Sequence, residues 1–220
     1  MDAGLKLSRA IHEKEIDATS YRRNVGCLWY FLHTQPDLAY SLGVLSRHMQ
    51  TPRESHGAAM KQCLRYLQGT TSYGITFHRS NSAPMKTIGY SDSSHNIDPN
   101  DGRSTTGHIF YIGDSPITWW SQKQETVVLS SCKAEFMDGT EAARQAIWLQ
   151  DFLVKVMGDT KKGLIEVEHV PGQEHKADIL TKALGRIKFK EMRDLIGVED
   201  VLIGDFKFKG ENVGLSLNIT

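Results

Sequence analysis

Three acidic residues stand where their neighbours make a carboxylate useful: Asp92, Glu135 and Asp178. Asp92 closes a segment in which Ile88, Tyr90 and Asp92 alternate, so its side chain continues one row of an extended strand. Glu135 stands in the first turns of a long helical pattern. Steps of seven from it reach Ala142, Leu149 and Val156, with Ala146 and Leu153 beside them, an apolar stripe suited to packing on a sheet. This reading puts Glu135 at the buried end of the stripe, where a carboxylate is costly unless it is paired or binds a metal. Asp178 opens a later helical segment, His175-Lys176-Ala177-Asp178-Ile179-Leu180-Thr181. Carboxylates from one strand end and two helix starts can converge on one spot. Such a cluster suits Mg2+, which takes hard oxygen ligands. Two such ions side by side activate water and stabilise the leaving oxygen in phosphodiester cleavage.

Each acid alone has a plainer reading. Asp92-Ser93-Ser94 is rich in turn formers, Glu135 complements a helix dipole, and Asp178 is an N-terminal helix charge. What favours a shared site is the order of the elements: strand, strand, strand, helix, strand, helix, with the acids at particular element ends.

The elements that must position these acids are legible from pattern. Residues 1–18 are polar and irregular. Val25, Leu28, Trp29 and Leu32 recur at helical spacing from about Thr19, and this helix stops before Pro36, because the residue preceding proline is pushed out of the α region. A second helix is expected over 37–49. Thr51-Pro52-Arg53-Glu54 reads as a capping box with proline at the first helical position. It opens a third helix in which Met60, Leu64 and Leu67 face a core and which ends at Gly69. Strands are expected over 73–78, 87–91, 108–112 and 117–121, the last two joined by Gly113-Asp114-Ser115-Pro116. Ser130-Ser131 offers an N-cap for a helix running to about Met157. A polar break over 158–163 precedes an alternating strand over 164–170, and Pro171-Gly172 turns the chain. Short helices over 174–184 and 187–196 precede a tail of weak strand character. The fold class is α+β: a helical unit over 1–82, a mixed sheet with packed helices over 83–198, and a tail over 199–220.

Bulk properties narrow the function classes. The chain has 220 residues, 40% hydrophobic and 24% charged, with 26 basic and 26 acidic residues. A net charge of zero gives no overall pull on nucleic acid, so any such surface must come from local clustering. Cys27, Cys63 and Cys132 show no metal-binding spacing and read as reduced thiols. No secretory signal or long apolar run is present, so the expectation is an intracellular protein, cytoplasmic or nuclear, with no membrane partner.

Five motifs then carry a resemblance. Gly89-Tyr90-Ser91-Asp92, Arg103-Ser104-Thr105-Thr106-Gly107, Ile117-Thr118-Trp119-Trp120-Ser121-Gln122-Lys123-Gln124, Leu129-Ser130-Ser131-Cys132-Lys133-Ala134-Glu135-Phe136 and Ala177-Asp178-Ile179-Leu180-Thr181-Lys182 resemble the ribonuclease H domain of copia-type retrotransposon Pol polyproteins. Tyr21-Arg22, Thr34-Gln35-Pro36-Asp37-Leu38-Ala39 and Leu64-Arg65-Tyr66-Leu67-Gln68-Gly69-Thr70 are similar to the end of the reverse transcriptase and the connection that precede that domain. The resemblance implies a nuclease that uses two Mg2+ ions, with Mn2+ as an alternative, to cut RNA in RNA–DNA hybrids. It implies that Asp92, Glu135 and Asp178 are the metal carboxylates. The family has a further Asp on a central strand between the last two; here the long helix fills that interval, Asp159 matches no motif, and the strand is missing. Ser94 and His95 stand where the family often has Asp and Trp. The expected consequences are impaired cleavage and a direct pairing of residues 165–170 with the strand ending at Asp92. The alternative is a catalytically dead remnant that at most binds nucleic acid, and a third reading is a non-functional copy. The upstream polymerase acids are absent, so the chain alone is not expected to polymerise DNA.

Lesser candidates complete the reading. Lys182, Arg186, Lys188, Lys190 and Arg193 face one acid, Glu191, within a short stretch and can contact phosphate or simply form a solvated helix face. Lys123 and Gln124, after the third strand, are candidate hybrid contacts. Trp119 and Trp120 are expected to divide between the core and the opposite sheet face. His175, a turn before Asp178, is a candidate for proton transfer or an exposed histidine.

Overall fold

The computed structural model describes residues 6–77, 87–95, 98–157, 168–171 and 174–201. Its elements are α1 (Ala18–Phe31), α2 (Ala39–Ser46), α3 (Glu54–Gly69), β1 (Tyr73–Ile75), β2 (Thr87–Ser93), β3 (Thr105–Ile112), β4 (Ser115–Lys123), α4 (Ser131–Met157), α5 (Arg186–Leu195) and β5 (Val198–Asp200). Two short 3-10 helices, Pro36–Leu38 and Lys176–Leu180, complete it. The class is α+β with antiparallel sheets.

α1 begins where Asp17 accepts the Thr19 and Ser20 N–H groups at 3.0 and 3.1 Å. Its inner face is Tyr21, Val25 and Leu28 rather than the stripe expected through Trp29, which is exposed and bonds Ser46 through Nε1. The second helix opens as a 3-10 turn with Pro36 at its first position, continues as α2 and ends at Ser46, short of the expected Met49. The capping box expected at Thr51 is displaced: α3 starts at Glu54, and the Arg53 N–H donates to His56 Nδ1 at 2.9 Å. The reason is a backbone tie to an earlier segment. Ile16 N–H donates to the Pro52 carbonyl and Glu54 N–H to the Lys14 carbonyl, which keeps Pro52 and Arg53 extended. Leu64 turns outward and Cys63 inward, joining Met60 in a core with Tyr21, Val25, Leu28, Leu42 and Leu45.

The main sheet has the order β2-β3-β4, all antiparallel. Gly113, at φ +59°, makes the β3–β4 turn in the left-handed region that favours glycine. β1 pairs with β5, Tyr73 opposite Asp200, so the end of the helical region and the tail share a ribbon. Among the described residues β2 pairs with β3 alone. The expected pairing of residues 165–170 falls largely outside the described residues; 168–170 form no strand.

Side-chain alternation sorts the sheet into two faces. On one, Tyr90, Asp92, Gly107, Ile109, Tyr111 and Trp119 meet the Lys176–Leu180 helix, α5 and the first helices. Ile109, Tyr111, Ile179, Leu180, Met192, Ile196 and Val198 are the buried centre of this layer. On the other, Ser91, Ser93, Thr106 and His108 face α4. Trp119 packs in the core and donates to the Leu32 carbonyl at 2.7 Å, while Trp120 lies outward, as alternation requires. α4 has 27 residues, or ~40 Å, against ~23 Å for the 7-residue β2 on which it packs, so it outruns its support. Val156, expected inward, is therefore exposed. Among the described residues no helix is long and apolar enough to cross a membrane.

Candidate metal centre

The β2 strand ends in Ser91-Asp92-Ser93, and alternation sends Asp92 toward the Lys176–Leu180 helix. That helix comes close because Gly107, opposite Asp92 in the ladder, has no side chain. A Cβ there would lie 2.6 Å from Leu180 Cβ and 2.9 Å from Thr181 Cγ2. Ser121 fixes the same spot by donating to the Leu180 carbonyl at 2.6 Å. The front of the helix is pinned by Lys176, whose ammonium sits 4.1 Å from the Tyr111 ring centroid and 5.4 Å from that of Tyr90. Burial lowers the Lys176 pKa.

The result brings Asp92 and Asp178 together. Ligand atoms of Asp92, His175 and Asp178 all lie within 4.8 Å of one another, and among the described residues they are the one such acid or histidine group able to share an ion. The Thr181 hydroxyl donates to Asp92 Oδ2. Lys182 Nζ is 2.9 Å from Asp178 Oδ1 and 3.5 Å from Asp92 Oδ2. Burial opposes the Lys182 charge, but Asp92 and Asp178 outweigh it and its pKa is raised. His175 Nδ1 lies 4.0 Å from Asp178 Oδ1 and has no hydrogen-bond partner among the described residues.

Glu135 is not in this group. It is exposed at the start of α4, because Ala134 and Asp138 are the residues that face the sheet there. One residue turns a helix by about 100°, so Glu135 cannot share that direction with Ala134. The face α4 presents to the sheet at its N-terminal end is therefore set by Ala134 and Asp138, one residue out of phase with a stripe through Glu135. The buried acid of α4 is Asp138, 2% exposed, which sequence reasoning missed. Burial raises its pKa to about 8; a hydrogen bond from Ser91 works against this, and the charges of Asp92 and Glu135 add to it. Its Oδ1 is buried without a hydrogen-bond partner among the described residues. The available signal was Asp138 spaced four from Ala134, eleven before Leu149.

The candidate contacts to nucleic acid are also redistributed. Gln124 is buried and donates through Nε2 to Ser93 Oγ, Thr106 Oγ1 and the Ala134 carbonyl, so it ties α4 to the sheet instead of facing outward. Lys123 is held by Asp98 at 2.7 Å and Asp101 at 2.8 Å. Lys182 turns to the acids, Lys188 lies 3.6 Å from Glu191, and Arg186 is exposed. Arg193 is buried with its guanidinium 4.1 Å from the Tyr73 ring centroid. The basic stretch is thus dispersed rather than a single face.

The donor set fits a hard divalent ion: two half-buried carboxylates already share one cationic group, the Lys182 ammonium. The imidazole nitrogen adds a donor that Mn2+ accepts more readily than Mg2+.

Comparison with known proteins places the chain. The Retrovirus-related Pol polyprotein from transposon RE1 of Arabidopsis thaliana is 31% identical over 236 residues, taking in 89% of this chain and 16% of that protein. The corresponding polyprotein from transposon TNT 1-94 of Nicotiana tabacum is 30% identical over 240 residues, 88% of this chain and 18% of that protein. The Secreted RxLR effector protein 161 of Plasmopara viticola is 42% identical over 130 residues, 59% of this chain and 90% of that protein. No protein-family model and no solved structure matches the chain. The chain spans less than a fifth of the length of the Pol relatives it matches, and over that span it belongs to the copia-type retrotransposon Pol polyproteins.

Proposed function

We propose that residues 83–198 are a ribonuclease-H-like module of the copia type, acting on RNA–DNA hybrids with Asp92 and Asp178 as its metal carboxylates. The observation that carries this reading is the meeting of Asp92, His175 and Asp178 within 4.8 Å, from two motifs far apart in sequence. Mg2+ or Mn2+, when bound, supplies activation of water and stabilisation of the leaving oxygen. The chain supplies the rest. Asp92 and Asp178 hold the charge, Thr181 fixes the Asp92 carboxylate, and Lys176 with Gly107 sets the depth of the supporting helix. His175 adds a nitrogen donor beside Asp178.

A second reading is a remnant that binds hybrid without cutting it. It is favoured by Glu135, which lies outside the acidic group and so leaves it short of carboxylates. Cleavage of an RNA–DNA hybrid in MgCl2 or MnCl2, with Asp92→Asn as control, separates the two. The nuclease reading expects cleavage that Asp92→Asn abolishes. Equal cleavage by both proteins, or none, sinks it. Hybrid binding with a steep salt slope and no cleavage supports the remnant.

A further inference from the structure

Lys182 is held in place by the architecture of the site. It stands one helical turn after Asp178, and it follows Thr181, whose hydroxyl is bonded to Asp92. Its ammonium therefore reaches both carboxylates, at 2.9 and 3.5 Å. Of the described residues, the two acids of α4's first turns offer no help to this pair. Glu135 is exposed on α4, and Asp138 is bound to Ser91 on the opposite face of the sheet. One ammonium cancels half the charge of two carboxylates; a divalent ion cancels all of it. The Lys182 side chain is 38% exposed and carried on a flexible four-carbon stem, so it has room to leave.

Resting on the metal-centre reading above, we propose that Lys182 is a tethered counter-ion of the Asp92–Asp178 pair, and that a divalent cation binds there by displacing it. The lysine keeps the two carboxylates together between binding events. It also sets a threshold on the free ion concentration at which the site fills, because the incoming ion must break both ion pairs and then tolerate the ammonium nearby.

The test is calorimetric titration of MnCl2 into the full chain and into Lys182→Met, Lys182→Gln, Lys182→Arg and Asp92→Asn. The expected result is about tenfold tighter Mn2+ binding in the Met and Gln variants, wild-type affinity in the Arg variant, and loss in Asp92→Asn. Without divalent ion the Met and Gln variants should melt below wild type and recover more than wild type when MnCl2 is added. Unchanged or weaker Mn2+ binding in both neutral variants, with binding still abolished by Asp92→Asn, overturns the counter-ion and leaves the metal centre standing. Binding that is absent throughout, or indifferent to Asp92→Asn, overturns the metal centre and the counter-ion with it.

Discussion

The Thr181 hydroxyl donates to Asp92 Oδ2 across 89 residues of sequence, tying the end of the Lys176–Leu180 helix to the end of β2. Thr181 is fully buried, so this bond works where water cannot replace it. Hydrogen bonds to charged groups contribute about 1.5–3 kcal/mol. Thr181→Val keeps the shape and removes the donor. It should cost a stability in that range by chemical denaturation and weaken Mn2+ binding several-fold. A variant as stable as wild type with unaltered Mn2+ affinity would mean that the bond does not position Asp92.

Gly107 is required by close approach, not by backbone conformation. Its missing Cβ makes room for Leu180 and Thr181. Leu180 Cβ and backbone carbon and the methyl of the buried Thr181 line that contact, so little can yield. Gly107→Ala should cost about 1–3 kcal/mol, as overpacking does, and should also lower Mn2+ affinity by lifting Thr181 off Asp92. Urea titration and calorimetry on one preparation check both. A neutral Gly107→Ala would show that the helix is free to shift.

Asp98 is a lock between the first helices and the sheet. It accepts Arg47 at 3.0 Å and Lys123 at 2.7 Å with its side chain 3% exposed. Burial pushes its carboxyl upward, but the Lys123 and Asn100 hydrogen bonds and the Lys123 and Arg47 charges hold it down at about 2. Its contribution is therefore present above pH 3.8, the ordinary carboxylate value, and is lost as pH falls through about 2. Asp98→Ala leaves Arg47 without its carboxylate, while Lys123 keeps Asp101 at 2.8 Å, and should cost about 3 kcal/mol at pH 7. Far-UV melts of wild type and variant should converge below about pH 2; parallel curves at all pH would refute the lock.

Asp138 has the opposite sign. Its folded pKa, about 8, lies above the ordinary 3.8, so the native chain keeps a proton that the unfolded chain releases. Its contribution to stability should fall as pH rises from 3.8 to about 8, by on the order of 1.4 kcal/mol per unit. Asp138→Asn removes that slope. The difference in unfolding free energy between variant and wild type should widen across this window; a difference independent of pH would show that Asp138 is ionised in the native state.

How far the sequence reached depends on which interactions are local. The Gly113 turn and Ser130 opening α4, where its Oγ accepts the Lys133 N–H, are settled by residues a few positions apart and are legible as patterns. The capping box at Thr51 failed because a segment around Lys14 and Ile16, invisible to a local reading, holds Pro52 and Arg53 extended.

For the site, the chain itself determined that Asp92 ends a strand and Asp178 opens a later helical segment, and the motifs around them determined the family. Only the tertiary structure decided which acids meet. A helix's rotation about its axis is set by what it packs against: Ala134 and Asp138 won the sheet, and Glu135 was left in solvent. The same holds for Lys182 and Gln124. One was turned by Thr181 and Gly107 toward two carboxylates, the other was drawn between β2, β3 and α4. Charge and polarity are written in the sequence, but their partners come from elements brought side by side by burial of Ile109, Ile179 and Leu180, whose spacing along the chain carries no trace of that meeting.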